Sequence, residues 1–156
     1  MIGVAEERLT IAAGDANLEG TLHVPGGSRG LVVFAHGAGS GRLSPRNRLV
    51  ATQLEHAGLA TCLIDMLTPA EIASEDARFD VPLMSRRLRA TVAVLQLRPD
   101  TARLRLGLFG ASCGAAAALY VASDPSTRAA AVVTRGGRVD LAVAWFRRYL
   151  RAGRRR

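Results

Sequence analysis

Leu104-Arg-Leu-Gly-Leu-Phe-Gly-Ala-Ser-Cys-Gly-Ala-Ala-Ala-Ala-Leu119 decides how the rest of the 156-residue chain is read. A short apolar strand runs into a sharp turn and out into a helix of small residues. At the turn, Gly110-Ala111-Ser112-Cys113-Gly114 is a G-x-S-x-G, flanked by the strand and the helix that this motif requires. The flanking glycines let neighbouring backbone come close. Such a turn lifts the Ser112 hydroxyl above the carboxyl end of a sheet. The Cys113 amide, at the helix N-terminus, then faces the place where an oxyanion would develop.

Working outward, the neighbouring segments fit a parallel sheet. Gly30 to His36 and Leu59 to Asp65 are continuous apolar runs of the kind buried on both faces. Ala129 to Thr134 predicts a further short buried strand. Ser44 and Pro45 suit the start of a helix and Gly58 the residue after its last turn, with Val50, Leu54 and Ala57 on one stripe. Leu83 to Arg98 keeps a 3.6-residue period through Met84, Leu88, Thr91, Val92 and Leu95, which places Arg86, Arg87 and Arg89 outward. Met66 to Pro82 has no clear period and is expected to cover the carboxyl side of the sheet. Glu6–Ala13 and Leu18–Val24 alternate around Gly14-Asp15-Ala16-Asn17, predicting an antiparallel hairpin at one sheet edge. The alternation of strands and helices predicts an α/β sheet, mostly parallel, with helices on both faces. Ligands bind at the carboxyl ends of such strands, which is where His36, Asp65 and Ser112 fall.

Composition narrows the class. Apolar residues make up 49% and charged residues 22% of the chain, as in a globular protein, and no apolar run approaches the ~18 residues of a membrane span. The N-terminal residues lack the pattern of a signal peptide, so the expected location is the cytoplasm. Cys62 and Cys113 make neither a disulfide framework nor a zinc site, and no metal-ligand spacing or cofactor motif is present. All 21 basic residues are Arg, and the net charge is +8. Six of them, Arg147, Arg148, Arg151, Arg154, Arg155 and Arg156, crowd the C-terminus; without these the net charge is +2. No nucleic-acid recognition motif accompanies them, so they are read as a solvated helix end. The whole chain, 1–156, is expected to be one domain, with a core over 1–142 and a basic C-terminal helix and tail over 143–156.

The motifs taken together resemble the dienelactone-hydrolase branch of the α/β-hydrolases. The residues that carry the resemblance are His36-Gly37-Ala38-Gly39-Ser40, Ser44-Pro45-Arg46-Asn47, Leu63-Ile64-Asp65, Arg78-Phe79-Asp80, Gly107 to Gly114 and Arg135 to Leu141. It spans about residues 5–142. The resemblance implies Ser112 as nucleophile and the amides of Cys113 and Ala38 as oxyanion donors, with Gly37 and Gly114 lining the same substrate-binding turn and loop. It implies hydrolysis of a small ester or lactone, with no cofactor.

The base is where the pattern departs from the family. In this fold the chain order is nucleophile, acid, base. Here His23, His36 and His56 all precede Ser112. Val143, Trp145, Phe146, Tyr149 and Leu150 look like the closing helix of such a hydrolase. The chain therefore reads as a truncated sheet lacking two strands and the loops that carry acid and base, roughly 60 residues at ~30 per βαβ unit. Weak activity is the expectation, against the alternative of an inactive binding or interaction protein on the same scaffold. A base from another subunit has no support in the sequence. A substitute Ser112–His36–Asp65 triad competes with a plainer expectation, in which His36 braces the oxyanion loop and Asp65 holds nearby backbone. Asp140 is read as a helix N-cap rather than the triad acid. The strand at Ala129–Thr134 would be left with an open edge, so the chain should dimerise, aggregate, or cover that edge with Leu141 to Leu150.

Overall fold

β3 (Gly30–Ala35) is the centre of the architecture. It leads through α1 (Pro45–His56) to β4 (Ala60–Ile64) on one side. The chain then crosses back through α2 (Pro69–Ile72), α3 (Glu75–Phe79) and α4 (Val81–Leu97) to β5 (Arg105–Ala111) on the other. α5 (Cys113–Ala122) and β6 (Ala129–Arg135) follow, with a 3-10 turn at Pro125–Thr127 between them. The hairpin β1 (Glu7–Ala12) and β2 (Asn17–His23) precedes β3. This computed structural model describes residues 6–136. Within them the six strands lie in the order β1-β2-β4-β3-β5-β6. β4, β3, β5 and β6 are parallel, while β2 pairs antiparallel with both β1 and β4. The α/β sheet with an N-terminal hairpin is thus as the sequence predicts. Strand order reverses direction at β3, and its carboxyl end is where a crevice forms in open α/β sheets.

Both faces are covered because β3 and β4 are apolar on both sides. Leu31, Val33, Cys62, Ile64, Leu106 and Leu108 pack with Met84, Leu88, Val92 and Leu95 of α4 and Ala117, Ala118 and Val121 of α5. On the opposite face, Phe34, Leu63 and Phe109 pack with Ala51, Val50 and Leu54 of α1. β1 buries only Leu9 and Ile11, a one-sided alternation suited to an outer strand.

Two expectations are corrected. Arg87 does not face outward: its side chain is 1% exposed. It sits three residues after Met84 and four before Thr91, so it falls on the buried stripe. β6 is not a buried strand: it is the last strand of the described sheet, and Val133 is 58% exposed. The expected N-cap at Asp140, the covering segment Leu141–Leu150 and the tail 143–156 lie outside the described residues.

Candidate active site

Ser112 has φ 52° and ψ −119°, a left-handed backbone that costs a non-glycine residue about 1–3 kcal/mol. The surroundings hold it there. Its amide donates to the Gly136 carbonyl at 2.9 Å, and its carbonyl accepts from the Ala115 amide at 3.0 Å. Ser112 occupies the N-cap of α5, a position where a Ser oxygen ordinarily accepts a helix amide; here it caps nothing. Residue 112 is exposed, and its hydroxyl donates a long hydrogen bond to Cys113 Sγ at 4.0 Å. The hydroxyl is therefore not spent on capping α5.

The glycines of the motif are required by contact. A Cβ on Gly110 would lie 2.6 Å from Ala115 Cα, and a Cβ on Gly114 would strike the carbonyl oxygens of Ala35 and His36. Gly37 meets the turn from the other side: a Cβ there would come within 2.8 Å of Ser112 Cβ. The loop after β3 and the turn after β5 are therefore in backbone contact.

His36 is buried, with 3% exposure, and both ring nitrogens are engaged. Nε2 accepts from the Met66 amide at 2.7 Å, so the proton is on Nδ1, which donates to the Gly37 carbonyl at 2.9 Å. Burial pushes the imidazole below the ordinary histidine pKa, against smaller opposing effects of the Gly37 bond and Asp65. A neutral ring with its lone pair committed to Met66 has nothing with which to take a proton from Ser112. Asp65 is committed as well. Its Oδ1 accepts from the Arg42 amide at 2.6 Å, and its Oδ2 lies 3.1 Å from Arg42 Nε. The substitute triad Ser112–His36–Asp65 is not assembled; residues 65 and 66, just past β4, instead pin the two ends of the 36–42 loop.

That pinning aims a donor. The Gly37 carbonyl accepts both His36 Nδ1–H and the Ser40 amide, at 2.9 and 3.2 Å. In a planar trans peptide the carbonyl and the following N–H point in opposite directions. Fixing the Gly37 oxygen therefore fixes the direction of the Ala38 N–H, away from the imidazole.

Cys113 is fully buried beside the serine, and Cys62 lies deep in the core, where burial pushes its thiol up to about 12. Cavities of about 630 Å³ beside α4 and about 300 Å³ beside α1 are lined by other residues. Ser112 stands exposed on the shelf formed by the turn after β5 and the loop after β3. Sequence reasoning missed Arg42, Met66 and Arg87, which hold this shelf from behind. Thr68-Pro-Ala-Glu71, a recognisable capping box, was the available signal for one of Arg87's partners.

No family model matches the chain. Among solved structures, a dienelactone hydrolase from Anabaena variabilis superposes with a TM-score of 0.83 at 47% identity, over 90% of this chain and 67% of that one. The chain belongs to the dienelactone-hydrolase branch of the α/β-hydrolases. A dienelactone-hydrolase-like promiscuous phosphotriesterase from metagenomic libraries shares the fold, with a TM-score of 0.68 at 23% identity over 85% of this chain and 59% of that one. Two curated proteins of Mycobacterium tuberculosis strains, each named "Putative phosphoribosyl transferase", are 50% identical over 137 residues, 88% of this chain. The chain spans about a third, 31%, of the length of these curated relatives. No helix among the described residues is long and apolar enough to cross a membrane.

Proposed function

We propose that this member of the dienelactone-hydrolase branch is a serine hydrolase acting on a small ester or lactone, and that it acts slowly. The observation that carries the proposal is the left-handed backbone of Ser112, which presents an uncapped hydroxyl at the N-terminus of α5. Ser112 Oγ attacks the substrate carbonyl carbon, and the carbonyl electron pair moves to oxygen. The Cys113 and Ala38 amides hold that oxyanion, as a pair of preset donors with no reorganisation to undergo. Collapse forms the acyl-serine and expels the alcohol, which carries away the serine proton. Water then cleaves the acyl-serine. His36 braces the loop in this account, and among the described residues no base is hydrogen-bonded to Ser112. An oxyanion site without the full triad still leaves ~10³-fold over water in hydrolases of another fold.

The transferase name belongs to relatives about three times as long as this chain, which spans 31% of their length. A stretch of 137 of the 156 residues spans both the His36 loop and the Ser112 turn, so the shared part is the hydrolase-like scaffold. We further propose a cytoplasmic protein that binds no nucleic acid and self-pairs through the outer edge of β6, the last strand of the described sheet. Hydrolysis of p-nitrophenyl acetate beside Ser112→Ala tests the main reading. Turnover lost in the variant is expected; equal rates would identify a silent binding scaffold.

A further inference from the structure

Arg87 is the largest fully buried side chain of the described residues, and every N–H of its guanidinium has a partner. Nε donates to Asp15 Oδ1 at 3.4 Å. One terminal nitrogen donates to the Met66 carbonyl and Glu71 Oε2, at 2.9 and 2.6 Å; the other donates to Glu71 Oε1 and Asp15 Oδ2, at 2.8 and 3.0 Å. Five donors meet five acceptors from three separate parts of the chain: the β1–β2 turn, the segment after β4, and α2. Glu71 is itself fixed, since it closes the Thr68 capping box.

Of these acceptors, the Met66 carbonyl is the one that leads to the active site. The same residue that accepts from Arg87 through its carbonyl donates through its amide to His36 Nε2. His36 Nδ1–H in turn holds the Gly37 carbonyl, the other end of the peptide that carries the Ala38 N–H. A displacement of Met66 therefore rotates the imidazole or frees it, and with it the Gly37–Ala38 peptide.

We propose that Arg87 is a positioning residue for the oxyanion loop: its guanidinium sets Met66, Met66 sets the tautomer and angle of His36, and His36 aims the Ala38 amide. Arg87 touches no substrate. Charge alone does not perform this role, because a lysine has three donors on one point and lacks the planar fork. The kinetic part of the proposal rests on the hydrolase reading of Ser112; the spectroscopic part does not.

The test compares wild type, Arg87→Lys and Glu71→Gln by nitrogen NMR of the His36 ring and by p-nitrophenyl acetate kinetics. Wild type should show a single neutral tautomer with the proton on Nδ1. In folded Arg87→Lys the two ring-nitrogen signals should move toward each other as the tautomers mix. Its kcat should fall about tenfold or more with KM little changed, as for a misaimed oxyanion donor. Glu71→Gln, which keeps the Met66 and Asp15 contacts, should shift the signals less and in the same direction. If wild type hydrolyses nothing but Arg87→Lys still moves the His36 signals, the hydrolase reading fails and the positioning role stands. His36 signals unchanged in folded Arg87→Lys, or in Glu71→Gln if the lysine variant does not fold, would overturn the proposal.

Discussion

At Gly114 a single added methyl group would meet two backbone carbonyls, those of Ala35 and His36, neither of which can swing away as a side chain could. Gly114→Ala should therefore cost more than the ~1–3 kcal/mol of ordinary overpacking, measured as a loss in chemical-denaturation stability. At Gly37 the added Cβ would meet Ser112 Cβ at 2.8 Å and the Ala111 carbonyl oxygen at 2.9 Å. Gly37→Ala should cost about 2 kcal/mol and also depress activity, because relief requires the loop and the turn to part. A variant with full stability and activity would mean the two segments are not packed as described. Ser112 and its glycines were legible in the sequence because a strand, a turn and a helix in immediate succession state their own geometry. Arg87 was not legible. The period read for α4 turns it outward, and its partners Asp15 and Glu71 come from elsewhere in the chain. A charged residue without visible partners is assigned to solvent.

Among the elements, α2 depends on a carboxylate that serves two masters, the Thr68 cap and Arg87. Hydrogen bonds from Arg87, ahead of those from Thr68, hold the Glu71 carboxyl down at about 2, from an ordinary 4.5. A lowered carboxylate pKa adds stability that is present above pH 4.5 and lost as pH falls through about 2. Glu71→Gln should thus destabilise the protein by about 2 kcal/mol at pH 7, and the gap to wild type should narrow by pH 3. A gap that does not change with pH would mean the carboxylate charge plays no part. His36 has the opposite chemistry and a window at higher pH. Its pKa is lowered from 6.5, so the neutral form is favoured on folding, and the stability it adds is complete above 6.5 and declines as pH falls below it. The helix α4 and the strand ends were legible from periodicity and apolar runs. The short helices α2 and α3 were not, since four and five residues are too few to show a period.

Over the whole molecule, the described sheet ends on β6, whose side chains are exposed or half-exposed, while β5 lies between β3 and β6. Hydrogen exchange should therefore be faster in β6 than in β5, and Val133→Lys, a charge on an edge strand, should reduce self-association seen by light scattering. Equal protection of the two strands would show that the outer side of β6 is covered. The parallel α/β sheet and its edge hairpin followed from the alternation of apolar runs with helices, while the order of the strands within it came only with the coordinates. The sequence also shows that its three histidines, His23, His36 and His56, all precede Ser112. What the sequence could not show was that His36 is already committed to Met66 and Gly37. The most direct measurement is phosphonylation by a fluorophosphonate, mapped by mass spectrometry with and without added imidazole as a diffusible base. The account predicts a single slow adduct on Ser112 that imidazole accelerates and that Ser112→Ala lacks. A folded protein whose Ser112 stays unmodified even with imidazole would contradict it.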